Sequence, residues 1–166
     1  MNLATFLIMN RRTLLTTLAL APLAACGTLT PSTVAADATT IVNGLAAIEP
    51  TIVGLAGIPA ATAAKIAADL ALAQSLLPSL SGIVASFSTP TTALQTIVTA
   101  VNDILGLATT APLAALIPAN VETILQAAAA LLPVVEAAAG LSSASATAPT
   151  MTPDAARVVL KAAVGK

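Results

Sequence analysis

The stretch TPTTALQTIVTAVNDIL, residues 89–105, decides the fold class. Leu94, Ile97, Val98, Val101, Ile104 and Leu105 recur at the spacing of one α-helical face. Thr92, Gln95, Thr96, Thr99, Asn102 and Asp103 take the opposite face, which predicts a helix with one side buried and one toward solvent. Thr89 suits an N-cap and Pro90 the first helical position, because the cap hydroxyl accepts from a free backbone N–H and proline has none to satisfy.

The same spacing extends in both directions. Upstream, Val34, Ala38, Ile41, Leu45, Ile48, Ile52 and Leu55 alternate steps of four and three, with Pro50 expected to kink or divide the stretch. A second helix is expected from Pro59 to about Leu77, with Ile66, Leu70 and Leu77 on one side, interrupted by Pro78 and Gly82 before Ile83–Phe87. Downstream, a helix from about Pro118 turns Val121, Ile124, Leu125, Ala128, Leu131, Leu132 and Val135 inward. Asn120, Glu122, Thr123, Gln126 and Glu136 go outward, and Gly140 stops it. Leu141–Met151 is a Ser/Thr/Ala linker, and Thr152-Pro153-Asp154 caps a last short helix through Val164, with Arg157 and Lys161 toward its C-terminal end. No stretch sustains period-2 alternation. The expectation is all-α: an Ala-rich bundle of four to five helices over residues 33–140, a linker at 141–152 and a C-terminal helix at 153–166.

Three triplets recur in order: Thr40-Ile41-Val42 at 96–98, Ile58-Pro59-Ala60 at 117–119, and Leu76-Leu77-Pro78 at 131–133. Two copies of a helical hairpin account for this; so does chance collision in a chain one quarter alanine. Both readings stand at this point.

Composition narrows the function. The chain has 166 residues, 57% hydrophobic, 8% charged and 1% aromatic, with a mean hydropathy of +0.97. So much apolar content excludes charge-driven disorder. Six basic residues against seven acidic, with no Tyr or Trp, supply neither a phosphate-neutralising patch nor a stacking platform, so no nucleic acid partner is expected. A core of small aliphatic side chains must bring its helices close or gain stability by self-association.

The N-terminus carries an address. Arg11 and Arg12 precede Thr13–Ala25, thirteen residues without charge, too short to span a bilayer but right for the apolar region of an export signal. This run ends in Leu23-Ala24-Ala25-Cys26-Gly27 and uses the only Cys in the chain. Leu23-Ala24-Ala25-Cys26 resembles the lipobox of bacterial lipoprotein precursors. The resemblance covers residues 1–27 and implies a signal peptide at 1–25, cleavage before Cys26, and acylation of Cys26 by palmitate-type chains. By the family's sorting pattern, Gly27 after the cysteine implies the outer membrane, facing the periplasm. Asn10-Arg11-Arg12-Thr13 also resembles a twin-arginine signal; an ordinary export signal with two arginines is the other reading. Met9 heads a conventional basic region and is the expected initiator. Residues 26–32 then form a lipidated cysteine and tether, reaching at most about 20 Å.

Catalytic reagents are scarce. There is no His, which rules out a Glu-x-x-His metal site, and no Gly-x-Ser-x-Gly, Ser-x-x-Lys or phosphate-cradling Gly-rich loop. The carboxylates Asp37, Glu49, Asp69, Asp103, Glu122, Glu136 and Asp154 are expected mostly on separate outward faces, without pairing. No enzyme activity, cofactor, metal or small-molecule substrate is expected. The uncharged run Leu70–Asn102 is long enough to span a membrane, yet Pro78, Pro90 and its many hydroxyls favour a buried helix–turn–helix. Two functions follow: a lipid-anchored envelope protein with a structural or interaction role, its partner another envelope protein or itself, or a membrane-perturbing, pore-forming lipoprotein of the lysis-accessory type.

Overall fold

The computed structural model describes residues 30–80, 92–108, 110, 113–141 and 150–165. These form five α-helices: α1 Pro31–Val53, α2 Ala60–Leu80, α3 Thr92–Ala108, α4 Ala119–Ala138 and α5 Pro153–Val164, with one 3-10 turn at Leu113–Ala115 ahead of α4. No strand occurs among the described residues, so the all-α bundle is the architecture of the chain. The Thr89 cap and Pro90, together with Ile83–Phe87, lie outside the described residues.

α1 begins two residues earlier than expected, which shortens the tether. The reason is a reciprocal cap: Thr30 Oγ1 accepts from the backbone N–H of Thr33, and Thr33 Oγ1 accepts from that of Thr30. Pro31 follows as a first-turn residue. At the other end of the bundle, Pro59 offers its carbonyl to Thr62 and Ala63, and Pro118 offers its own to Val121 and Glu122, so both α2 and α4 start from the same Ile-Pro-Ala sequence. α4 stops as expected at Gly140. Its φ of 70° lets Leu141 N–H reach Glu136 O at 3.0 Å while Gly140 N–H reaches Ala137 O, the paired bonds of a Schellman cap.

Two expectations about proline are corrected. Pro50 does not divide α1 and Pro78 does not end α2; both helices continue through them, as α4 does through Pro133. A proline inside a helix costs about 3 kcal/mol, and a buried Leu or Val side chain contributes about 1.5–3 kcal/mol. Ile48 and Ile52 flank Pro50, and Leu132 and Val134 flank Pro133, all buried. Packing on both sides of Pro50 and Pro133 therefore outweighs the broken backbone bond.

α1 is the hub. It packs against all four other helices, most heavily on α4, while α2 pairs with α3 and α5 lies along α1 and α4. Side-chain contacts set the directions. Lys65, early in α2, meets Asp103, late in α3; Gln95, early in α3, meets Ala139 past the end of α4. Those neighbours run antiparallel. Arg157 meets Asp37, and Leu160 lies against Gly44, so α5 runs parallel to α1. Gly44 matters here, because a Cβ at that position would collide with the Leu160 side chain. The turn at Gly57, with φ 101°, sits beside Leu116, which places the 54–59 and 113–118 connections at one end of the bundle. The other end carries Thr30, Leu80, Thr92, Gly140 and Thr152.

One continuous core draws on every helix. The expected stripes of α1, α3 and α4 are buried in it, with Leu105 and Ile124 at its margin. The three recurring triplets fall in the same order along the helices: within α1 and α3, at the start of α2 and α4, and in the last turn of α2 but about a turn earlier in α4. Surroundings then separate the copies. Leu131 and Leu132 of α4 are buried, whereas Leu76 and Leu77 of α2 are half-buried. In the register set by those leucines, Ala127, Ala130 and Val134 of α4 are buried, and Leu72, Ser75 and Ser79 of α2 are exposed. α5 covers α4 and has no counterpart over α2 among the described residues. The two serines turn their hydroxyls back on Leu72 O and Leu76 O, so that face is built for exposure. The uncharged run Leu70–Asn102 is thus shared between two antiparallel helices, and its α2 part is largely exposed where a buried position was expected.

Lys65 staples α2 to α3. Its Nζ donates to Asp69 Oδ2 and to Asp103 Oδ2, each at 2.6 Å, and these bonds, that to Asp103 first, hold the ammonium's pKa above its ordinary 10.5. A cation with a raised folded pKa stabilises fully below its unfolded value and loses that contribution as pH climbs through the folded one. The difference in urea midpoint between the protein and Lys65→Met is therefore expected to be present at neutral pH and to fade above pH 10.5. High salt should shrink it too, because the bridge is exposed. A difference that ignores both pH and salt would mean the lysine acts through its methylene stem.

Candidate functional site

The residues singled out in the sequence for export and lipidation, Arg11, Arg12, Leu23, Ala24, Ala25, Cys26 and Gly27, all lie outside the described residues. The domain that follows them holds two polar assemblies inside an otherwise apolar bundle, and both overturn an expectation.

The first joins α5 to α1. Asp37 was expected on an outward face, but it is 3% exposed. Arg157 was expected to serve the C-terminal end of α5, but it sits in the helix's second turn and reaches across. Its Nε donates to Asp37 Oδ1 and its Nη2 to Asp37 Oδ2, both at 2.7 Å, a planar fork on a planar carboxylate. Nη1 donates to Asp154 Oδ1 at 2.6 Å. The hydrogen bonds with Asp37 are the largest cause raising the guanidinium's pKa above its already high value, with burial opposing. Lys161 is left as the basic residue of the last turn of α5. The local start of α5 is as read: Thr152 Oγ1 accepts from Ala155 N–H, with Pro153 next and Asp154 in the first turn.

The second assembly lies between α3 and α4. Glu136, expected outward, is 1% exposed. Its Oε1 accepts from Asn102 Nδ2 at 2.9 Å, while its Oε2 is buried and meets no donor. Gln95 Nε2 donates to Ala139 O at 3.3 Å along the same seam. Asn102 and Gln95, expected to face solvent, are therefore half-buried and bonded to the neighbouring helix. Glu122 and Gln126 behave as ordinary surface neighbours, bonded one turn apart at 3.0 Å.

Both assemblies join neighbouring helices. The carboxylates do pair, contrary to expectation: Asp69 with Asp103 through Lys65, and Asp37 with Asp154 through Arg157. Each pair is bridged by a cation. Among the described residues no three of Asp, Glu, His or Cys gather to hold a metal ion. Asp37 was legible in principle, because Val34, Asp37, Ile41, Gly44 and Ile48 also repeat by three and four and so put one carboxylate and one glycine on an apolar face. Its partner, 120 residues away, left no local trace. No family model, curated protein or solved structure matches this chain.

Both assemblies make predictions. Arg157→Ala strands a buried carboxylate and is expected to cost about 3–5 kcal/mol in urea unfolding. The paired change Asp37→Met with Arg157→Met should recover most of the loss, and Arg157→Lys should not, because the fork is gone. If only α5 undocks, hydrogen exchange will show it as protection lost in residues 153–164 alone. At the seam, Glu136→Gln keeps an acceptor for Asn102 and adds no unpaired charge, so stability should hold or rise. Glu136→Ala strands the Asn102 amide and opens a cavity, with an expected loss of about 2–4 kcal/mol. Equal losses for the two would show that the seam requires the carboxyl itself.

Proposed function

We propose that this chain is a lipid-anchored, non-catalytic helical protein of the bacterial cell envelope, with a structural or interaction role. The observation that carries the reading is the placement of Leu23-Ala24-Ala25-Cys26 at the end of an apolar export run, four residues ahead of a capped helix that opens a self-contained bundle. A lipid on Cys26 would hold that bundle at the membrane with no further hydrophobic segment; one acyl chain binds reversibly and two or more bind stably. The Gly27 that follows favours the outer membrane and a periplasm-facing domain. A non-catalytic role is supported by the missing histidine and by carboxylates whose partners are cations of the fold itself.

The membrane-perturbing reading has one observation in its favour. α2 and α4 are both long and apolar enough to cross a membrane, and in α2 only 17% of the most apolar stretch is buried, against 56% in α4. Against it, α2 contributes Ile66, Leu70, Ala73 and Leu80 to the core, and its exposed serines are bonded to their own helix.

The two readings part on one protein: residues 27–166 made without the leader and without Cys26. The anchored-bundle reading expects a soluble, helical, cooperatively unfolding product. Partition into vesicles or aggregation in the absence of detergent would overturn it in favour of the second. In the full chain, Cys26→Ser is expected to abolish labelling by a palmitate analogue and to release the protein from the membrane fraction.

A further inference from the structure

We propose that the domain rests on its anchoring membrane through the outer surface of α5, with anionic lipid headgroups as the partner of that surface. The proposal rests on the acylation of Cys26 and adds to it the side of the bundle that meets lipid. From Cys26 to Thr30 the backbone spans at most about 14 Å, so the lipid holds the start of α1 near the headgroups. α5 lies beside that start. Arg157 meets Asp37, about two turns into α1, and Leu160 meets Gly44 about two turns further on. The 12 residues of α5 run about 18 Å along the first part of α1. The surface of α5 is therefore within reach of the bilayer, and surface chemistry decides which side of the bundle turns down.

Four large apolar side chains stand exposed among the described residues, and α5, the shortest helix, carries two of them, Val158 at 68% and Val164 at 51%. Helical spacing puts Ala155, Val158 and Ala162 in one outward row, opposite the buried Ala156 and Leu160, with Lys161 beside the row. Of the three described cations, Lys65 and Arg157 have carboxylate partners, and Lys161 has none among the described residues. Its ammonium is free for a lipid phosphate while its methylene stem stays with the apolar row. Asp154, the one carboxylate of α5, is engaged by Arg157 Nη1. The adjoining outer face of α1, with Ala36, Thr40, Asn43 and Ala47, is uncharged; Glu49 falls on the other flank of α1's buried stripe from Asp37 and Gly44. The remaining sides suit lipid less. α2 exposes Leu72, but its one cation, Lys65, serves two carboxylates, Asp69 and Asp103. α4 exposes Glu122 and has no basic residue at all. Contact through either brings net negative charge to an anionic surface, whereas α5 brings a free cation and apolar side chains.

The test uses the full chain, acylated in its host and reconstituted in vesicles of phosphatidylethanolamine and phosphatidylglycerol. Single cysteines for a fluorophore are introduced one at a time: Ala162→Cys on α5, Ala64→Cys on α2 and Asn120→Cys on α4, all exposed positions. Quenching by headgroup-attached nitroxide is expected to be several-fold stronger at Ala162→Cys than at the other two. Adding Lys161→Glu and Val158→Ser, both at exposed positions, is expected to bring the Ala162→Cys signal down to theirs. Equal quenching at all three sites overturns the proposal, because the domain then tumbles on its tether. Stronger quenching at Ala64→Cys or Asn120→Cys overturns it in favour of another side. A contrast that survives Lys161→Glu with Val158→Ser overturns it too, because the tether alone then sets the orientation. Energy transfer between Ala162→Cys probes on different molecules, without quenching by lipid, overturns it in favour of a second copy as the partner of α5. The intact mass separates the two levels of the argument. Protein without acyl mass on Cys26 overturns anchoring and orientation together, whereas acylated protein with any of the adverse patterns overturns the orientation alone.

Discussion

α1 touches every other helix of the bundle, and the conditions it sets are close approach and a single buried charge. Its apolar stripe holds no aromatic ring, so the neighbouring backbones must come near for side chains such as Val34, Ile41 and Ile48 to exclude water. Gly44 marks where that requirement is sharpest, since Leu160 of α5 occupies the room a side chain would take. Asp37, about two turns away on the same face, is the polar counterpart. Its fork with Arg157 ties α5 to α1 at a second point. α5 is short and carries little apolar surface of its own, with Ala156 and Leu160 as its buried residues. Two anchors of different kinds, a leucine in a glycine notch and a bidentate ion pair, therefore hold the helix that completes the burial of α4.

That completion explains why two similar hairpins end in different environments. α4 is covered on the side where α2 is open, and the side chains follow: Ala130 and Val134 under cover, Ser75 and Ser79 in the open. A serine on an exposed helix face loses little when its hydroxyl bonds a carbonyl of its own turn, and both do so. The exposed length of α2 accordingly combines alanines and Leu72 with serines bonded to their own helix.

The core stripes of α1, α3 and α4 were legible because their spacing survives every local interruption. The errors share a physical cause. Periodicity locates the centre of a buried face but not its width, and the width depends on how many helices pack around it. Asn102, Gln95 and Glu136 lie at the margins of stripes that the α3–α4 contact widens, so polar residues expected in water became a seam. Pro50 misled in the other direction, because the local rule for proline takes no account of the buried Ile48 and Ile52 on either side. The Asp37–Arg157 pair and the Lys65 bridge to Asp103 were invisible for a third reason: they depend on which helices become neighbours.

The polar surface has a property that bears on any partner. Thr39, Thr40, Thr96, Thr99 and Thr123 all donate to the carbonyl four residues back in their own helix. Faces that look rich in hydrogen-bonding groups thus have their hydroxyl donors already engaged, and redirecting one outward must first break an internal bond. What such a surface offers freely is weak acceptor capacity, small apolar patches around alanine, and a few carboxylates. A protein partner recognising this domain would draw its specificity from exposed charges such as Glu122 and Lys161, and little from the threonine faces. The threonine faces are then engaged with their own helices, and what they leave exposed is chiefly methyl groups and acceptor oxygens.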